Sequence, residues 1–148
     1  MISTLRVRYL SFAGIVMLLA SAGCDFGQST LTSPDQSSVQ YSQTDLTIGT
    51  GAPAVVGSTA TVQYGLWLYN VTATDHKGTQ IGAQTFSFVL GANQVIKGFD
   101  MGVTGMNVGG TRRIVCPPSL AYGATGDGTG TIPPNAALVF DIALTAVQ

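Results

Sequence analysis

From about residue 60 onward, apolar and polar side chains alternate in runs, the mark of half-buried strands. Ala60–Tyr69 places Val62, Tyr64, Leu66 and Leu68 on one side. Thr85–Leu90 groups Phe86, Phe88 and Leu90, and Leu138–Ala146 groups Leu138, Phe140, Ile142 and Leu144. Thr111–Cys116 is a further strand, stopped by Pro117-Pro118 because proline lacks the amide proton that a ladder needs. Asp45–Ile48 predicts a short strand before the turn material of Gly49–Pro53. Asn70–Gln84, polar and glycine-bearing, predicts an irregular loop.

One segment breaks the two-residue period. In Gln94–Val103 the apolar residues Val95, Ile96, Phe99 and Val103 fall at helical spacing. Gly98 and Gly102 each weaken such a helix by about 1 kcal/mol, so it must rely on tertiary packing. The pattern predicts an α+β domain, an antiparallel sheet closed over one short helix.

Composition supports a compact, turn-rich domain. The chain has 148 residues, is 45% hydrophobic and only 9% charged, and contains 19 glycines. All seven acidic residues are Asp, and lysine occurs only at positions 77 and 97. The absence of Glu and the scarcity of Lys, both good helix formers, argue against a helical bundle. No basic run is present to meet a phosphate backbone, so nucleic acid is not an expected partner.

The N-terminus reads as an export signal. Arg6 and Arg8 form a basic stretch, and Leu10–Leu19 is an apolar run too short to span a bilayer comfortably. Ala20-Ser21-Ala22-Gly23 then precedes Cys24, a pattern like a bacterial lipobox in which Cys24 would carry lipid. Simple secretion after Ala22 and an uncleaved anchor helix are the alternatives. Residues 1–23 are thus expected to be a signal peptide and 24–44 a flexible Ser/Thr/Gln-rich linker, with the domain at 45–148. Without the signal, four basic residues stand against seven acidic ones, net −3. The expected location is the cell envelope. Cys116, the one domain cysteine, cannot form an intramolecular disulfide, and its strand-like setting predicts a buried thiol.

Several blocks, in order, resemble the FKBP-type peptidyl-prolyl isomerases. They are Thr61-Val62-Gln63-Tyr64, Phe86-Ser87-Phe88-Val89-Leu90-Gly91, Val95-Ile96-Lys97-Gly98-Phe99-Asp100-Met101-Gly102-Val103 and Met106–Arg113. Ala121-Tyr122-Gly123-Ala124-Thr125-Gly126 and the Ile132-Pro133-Pro134 stretch leading into Phe140 complete the set. The resemblance implies a curved sheet wrapped over a helix, with a prolyl pocket between them. It assigns Tyr64, Ile96, Phe99, Tyr122 and Phe140 to catalysis, and Phe86, Val95, Ile132 and Ile81 to substrate binding. The Ile96 N–H and the Tyr122 hydroxyl would bond substrate carbonyls.

Taken singly, an aromatic on an alternating strand is ordinary core. Tyr122 is different, because it sits on a loop between glycines. Two departures stand out. Where the family usually has Phe-Asp, this chain has Ile81-Gly82, so the carboxylate beside the twisting amide is missing. The loop through Asp127-Gly128-Thr129-Gly130 is also one residue longer than the short family form.

The residue inventory suits non-covalent chemistry. Rotation about a peptide bond faces about 18–20 kcal/mol, sustained by resonance, and X–Pro isomerisation takes tens to hundreds of seconds. An apolar pocket favours the twisted amide, which has lost that charge-separating resonance. No cofactor or metal is expected. His76, the sole histidine, lies in a polar loop and reads as solvated, and one His with one domain Cys is too few for a metal site. Expected partners are proline-containing polypeptides, macrolides such as rapamycin, and the membrane through Cys24; the domain is expected to be a monomer. The alternatives are an FKBP-like module that grips proline without useful turnover, and an envelope adhesin.

Overall fold

A computed structural model describes residues 36–148, so the signal-like segment and Cys24 lie outside the described residues. Five strands form one antiparallel sheet: β1 (Ser42–Thr47), β2 (Thr59–Tyr69), β3 (Lys77–Val89), β4 (Thr111–Cys116) and β5 (Leu138–Val147). Their spatial order is β1-β4-β5-β2-β3. A two-turn helix, α1 (Lys97–Val103), packs on one face.

The inner face is what the alternation predicts. Val62, Leu66, Phe88, Ile114, Cys116, Leu138, Phe140, Ile142 and Leu144 are buried against Phe99 and Val103 of α1. Each large apolar side chain removed from water in this way contributes about 1.5–3 kcal/mol.

A seven-residue helix cannot stand alone, and this one is held at both ends and along its back. Its two glycines face β4. A methyl group at Gly102 would come within 2.8 Å of Ile114 Cγ2, and one at Gly98 would overlap Cys116 Sγ. The glycines that weaken the helix in isolation are therefore what let it approach the sheet. At its C-terminal end Arg112, only 8% exposed, donates from Nη1 to the carbonyls of Gly102 (3.0 Å) and Thr104 (3.4 Å). The same guanidinium holds Asp45 through Nε (2.6 Å) and Nη2 (3.2 Å), joining β1 to α1. A cation here also complements the helix dipole. At the other end the Asp100 carboxylate accepts from the Gly91 N–H at 3.0 and 3.1 Å.

Three stretches differ from the sequence expectation. Most of the loop expected over Asn70–Gln84 is strand: β3 starts at Lys77 and pairs with β2 to Thr59↔Val89. As an edge strand it buries few side chains, so its first half carries glycine and polar residues without alternation. The helix begins at Lys97 rather than Gln94, because Asn93 (φ 56°) and Ile96 (ψ 147°) leave the helical region. β1 begins at Ser42 rather than Asp45, and the residues before it contact the domain. The Gln36 amide donates to the Tyr69 carbonyl (3.1 Å) and accepts from the Ala137 N–H (2.7 Å), while the Tyr41 hydroxyl donates to the Gly98 carbonyl (3.2 Å).

The outer face carries a second, polar arrangement. Trp67 lies over Gly65, and the Lys77 ammonium sits 4.1 Å from the indole centroid. The Asp141 carboxylate accepts from Lys77 Nζ and from Arg113 Nε (2.6 Å) and Nη2 (2.8 Å). His76 is only partly solvated. Its turn closes through Asn70 N–H to the His76 carbonyl (2.8 Å), which stacks the imidazole on Tyr69 at 5.0 Å and buries Nδ1 without a partner among the described residues. A groove of about 560 Å³ runs beside it, lined by Gln36, Val39, Tyr69, Val71, His76 and Val115 among others.

Candidate functional site

Four aromatic rings meet where β2, β3, β5 and α1 converge. Tyr64 packs edge-on against Phe99 (5.4 Å between centroids) and Phe86 (5.7 Å) and is tilted to Phe140 (5.9 Å). Phe99 meets Phe140 edge-on at 5.2 Å and Phe86 at 5.8 Å. These are favoured aromatic separations, each worth about 0.5–1.5 kcal/mol beyond simple burial. Phe88 stands behind them, 5.4 Å from Phe86 and 5.7 Å from Phe99.

Burial is graded across the cluster. Phe99, Phe140 and Ile132 are 3–4% exposed and form a floor. Tyr64, Phe86, Val95, Ile96 and Ile81 are half-buried and pack against that floor. Tyr122, 39% exposed, stands at the rim and makes no ring contact among the described residues. The cluster is thus packed below and partly exposed above. The structure thus brings all nine sequence-assigned residues to one side of the sheet or to the loop beside it.

Local backbone explains how each is placed. Tyr64 and Leu66 lie on the inward face of β2, and Phe140, paired with Leu66, on that of β5. The register slips between Leu66 and Trp67: Leu66 faces Gly82 while Trp67 faces Gln80. Ile81 is the extra residue of this bulge, and bulges re-aim side chains, here into the apolar cluster. Ile96 caps α1 in an extended conformation, and its N–H has no hydrogen-bond partner among the described residues.

Tyr122 is carried by a loop that is tied to itself. The Asp127 carboxylate accepts from the Thr129 N–H (3.0 Å), the Thr129 hydroxyl (2.6 Å) and the Gly130 N–H (3.0 Å). The Thr129 hydroxyl is the largest of the influences holding this carboxyl below its usual range. Gly126 turns the chain at φ 67°, where a side chain would overlap the Ile132 carbonyl. The extra loop length is thus taken up in a closed knot. Burial raises the Tyr122 phenol above its ordinary value, helped by its neighbours Tyr64, Asp127 and Cys116.

One residue beside the cluster escapes sequence reading. Gln84 lies directly across from Tyr64 in the ladder, exposed, and was hidden in the expected loop. Gly82 opens a gap: a methyl group there would have no atom within 4 Å. Among the described residues no three His, Cys, Asp or Glu side chains gather as a metal site would require.

These side chains form a candidate site between the sheet and the helix, an aromatic cluster with the Tyr122 hydroxyl and the Ile96 N–H near it. Residues 51–145 match the family described as FKBP-type peptidyl-prolyl cis-trans isomerase. An FK506-binding protein of Neisseria meningitidis serogroup A is 44% identical over 103 residues, covering 70% of this chain and 92% of that protein. The 46 kDa FK506-binding nuclear protein of Spodoptera frugiperda is 43% identical over 105 residues, but the chain spans only 24% of its length. The crystal structure of a peptidyl-prolyl cis-trans isomerase from Pseudomonas syringae superposes with a TM-score of 0.61 at 34% identity, covering 73% of this chain and 75% of that one. The chain belongs to the FKBP-type peptidyl-prolyl cis-trans isomerase family.

Proposed function

We propose that this protein accelerates X–Pro isomerisation in exported polypeptides, with the Tyr64–Phe86–Phe99–Phe140 cluster as its prolyl pocket. The observation that carries this is the graded cluster itself: a buried aromatic floor below a half-exposed wall, with the Tyr122 hydroxyl and the free Ile96 N–H at its edge. Proline would seat on Phe99, with Val95, Ile132 and Ile81 closing the sides. The two donors would hold carbonyls of the flanking chain while the bond turns. Each tenfold in rate requires about 1.4 kcal/mol more stabilisation of the twisted amide than of the planar one. The test is cis-to-trans conversion of a Leu-Pro or Phe-Pro peptide by the purified protein. A rate above background is expected, and a background rate with folded protein rejects the reading. Macrolides such as rapamycin would compete for the same floor.

A second reading, proline gripping with little turnover, is favoured by Gly82, where the family's carboxylate is missing. Gly82→Asp introduces the carboxylate into open space. A rise in kcat is expected if its absence limits turnover, and no rise rejects that explanation. The location is proposed from the sequence alone: lipid on Cys24 would tether the domain to the envelope. Palmitate labelling abolished by Cys24→Ser is the expected result, and labelling unaffected by that change rejects it.

A further inference from the structure

Three charged side chains belong to the helix and loop beside the aromatic cluster: Lys97 and Asp100 on α1, and Asp127 on the Tyr122 loop. The other charges among the described residues are engaged elsewhere. Asp75, Lys77, Arg113 and Asp141 share the outer face, and Asp45 holds Arg112 at the C-terminal end of the helix. Lys97 and Asp100 are three residues apart on one helix, a spacing that makes side chains neighbours, so their charges offset each other away from α1. Asp127 makes no ion pair among the described residues. Its charge is the one left unbalanced beside the cluster. That charge is also fixed in place. The Asp127 N–H donates to the carbonyl of Ile132 at 3.2 Å, which ties the residue to the buried floor. The carboxylate is held by Thr129 and Gly130, and those bonds keep it ionised at neutral pH. Its field reaches the rim, since it is among the causes that raise the Tyr122 phenol.

We infer that Asp127 gives the site a charge preference, favouring polypeptides with a lysine or arginine next to the proline and disfavouring those with an acidic residue there. The inference rests on the reading of the aromatic cluster as the prolyl pocket. A chain seated there with a carbonyl on the Tyr122 hydroxyl runs close to the Asp127 carboxylate. The floor takes the proline ring, so the side chains that flank it lie outside the floor. A long cationic side chain in that place reaches the carboxylate, and an acidic one is repelled by it. A charge at the rim of a binding site changes association and partner choice more than the chemical step, and salt screens it. Asp127 is therefore a specificity residue: the donors that hold the substrate are the Ile96 N–H and the Tyr122 hydroxyl.

The test compares peptides with Lys, Leu or Glu immediately before the proline and, in a second set, immediately after it, each corrected for its own uncatalysed rate. At about 10 mM salt, kcat/KM for the Lys peptide is expected to exceed that for the Glu peptide about three- to tenfold in at least one set, with Leu between them and the difference mainly in KM. About 1 M NaCl is expected to bring that ratio close to one. Asp127→Asn keeps an Oδ1 acceptor for the Thr129 and Gly130 N–H groups and removes the charge, so the ratio is expected to collapse at low salt as well. A ratio that neither salt nor Asp127→Asn alters, or a loss shared equally by all three peptides, overturns the inference, while turnover of the Leu-Pro peptide upholds the pocket reading. No turnover of any peptide by folded protein overturns the pocket reading and the inference with it.

Discussion

Gly98 of the helix lies directly against the Cys116 thiol of β4, leaving no room for even a methyl group between them. The contact sets the height of Phe99, the next residue, beneath the aromatic cluster. Gly98→Ala would gain about 1 kcal/mol of intrinsic helix preference. Overpacking at a site with no free volume costs about 1–3 kcal/mol and displaces backbone. The net expectation is a lower urea midpoint together with reduced isomerase activity. A stabilised, fully active variant would show that α1 can move away from β4 at no cost to the site.

Burial of the same thiol, opposed by a hydrogen bond with the Gly98 backbone, pushes its pKa up to about 12. The thiolate is the reactive species. Cys116 is therefore expected to resist a disulfide reagent at about pH 8 in the native state and to react stoichiometrically in denaturant. Rapid labelling of the folded domain would contradict this placement of Cys116.

Asp141 joins Lys77 and Arg113 on the outer face. Partial burial alone would raise its pKa, but the bonds from Arg113 and then Lys77 outweigh this and hold it below the usual range. A carboxylate depressed in the folded state contributes stability that is present above its unfolded value of about 3.9 and is lost as pH falls through the folded one. Thermal stability should therefore decline below about pH 4. Asp141→Asn should lower stability near neutrality by about 1–2 kcal/mol, as expected for partly exposed charge-assisted bonds. It should also flatten the acid decline, and melting curves between about pH 2 and about pH 7 measure both.

Tyr122 must keep its proton to act as a donor. Its raised pKa lies above the ordinary phenol value near 10, so the donor form persists through mildly alkaline solution. Activity on a neutral peptide is expected to be level from about pH 6 to about pH 9 and to fall only beyond it. Tyr122→Phe should lower kcat/KM across that whole range without moving the melting temperature, because the ring is exposed at the rim.

The central strands were legible because each buries one face, which imposes alternation: β2 and β5 begin and end within a residue of the pattern, and β4 matches it. β3 was half legible. From Thr85 on it packs Phe86 and Phe88 on the core, whereas Lys77–Gln84 is a largely exposed edge where little burial enforces a pattern. The helix was visible through Val95, Ile96, Phe99 and Val103, but two of these precede it. The N-terminal limit depends on backbone angles at Asn93 and Ile96 that hydrophobic spacing does not encode. His76 was misread for a related reason: whether a polar turn projects into water or folds onto Tyr69 is decided by its closing hydrogen bonds. Alternation alone could not separate site from core at Tyr64, Phe86 and Phe140, since packing and binding use the same inward face. The reason to assign them to a site came from the ordered family blocks.

The way the chain reaches the sheet has a mechanical consequence. Gln36 is clamped to the carbonyl of Tyr69 and the N–H of Ala137, and the chain then enters β1, which among the described strands pairs with β4 alone. Tension applied from the N-terminal side would be borne first by the Gln36 amide and next by the β1–β4 ladder. The rings around Phe99 sit between other strands. A pull strong enough to peel β1 would reach α1 only through the Tyr41 bond to Gly98 and the Arg112–Asp45 link. The aromatic cluster is thereby cushioned from strain applied at the N-terminal side of the domain.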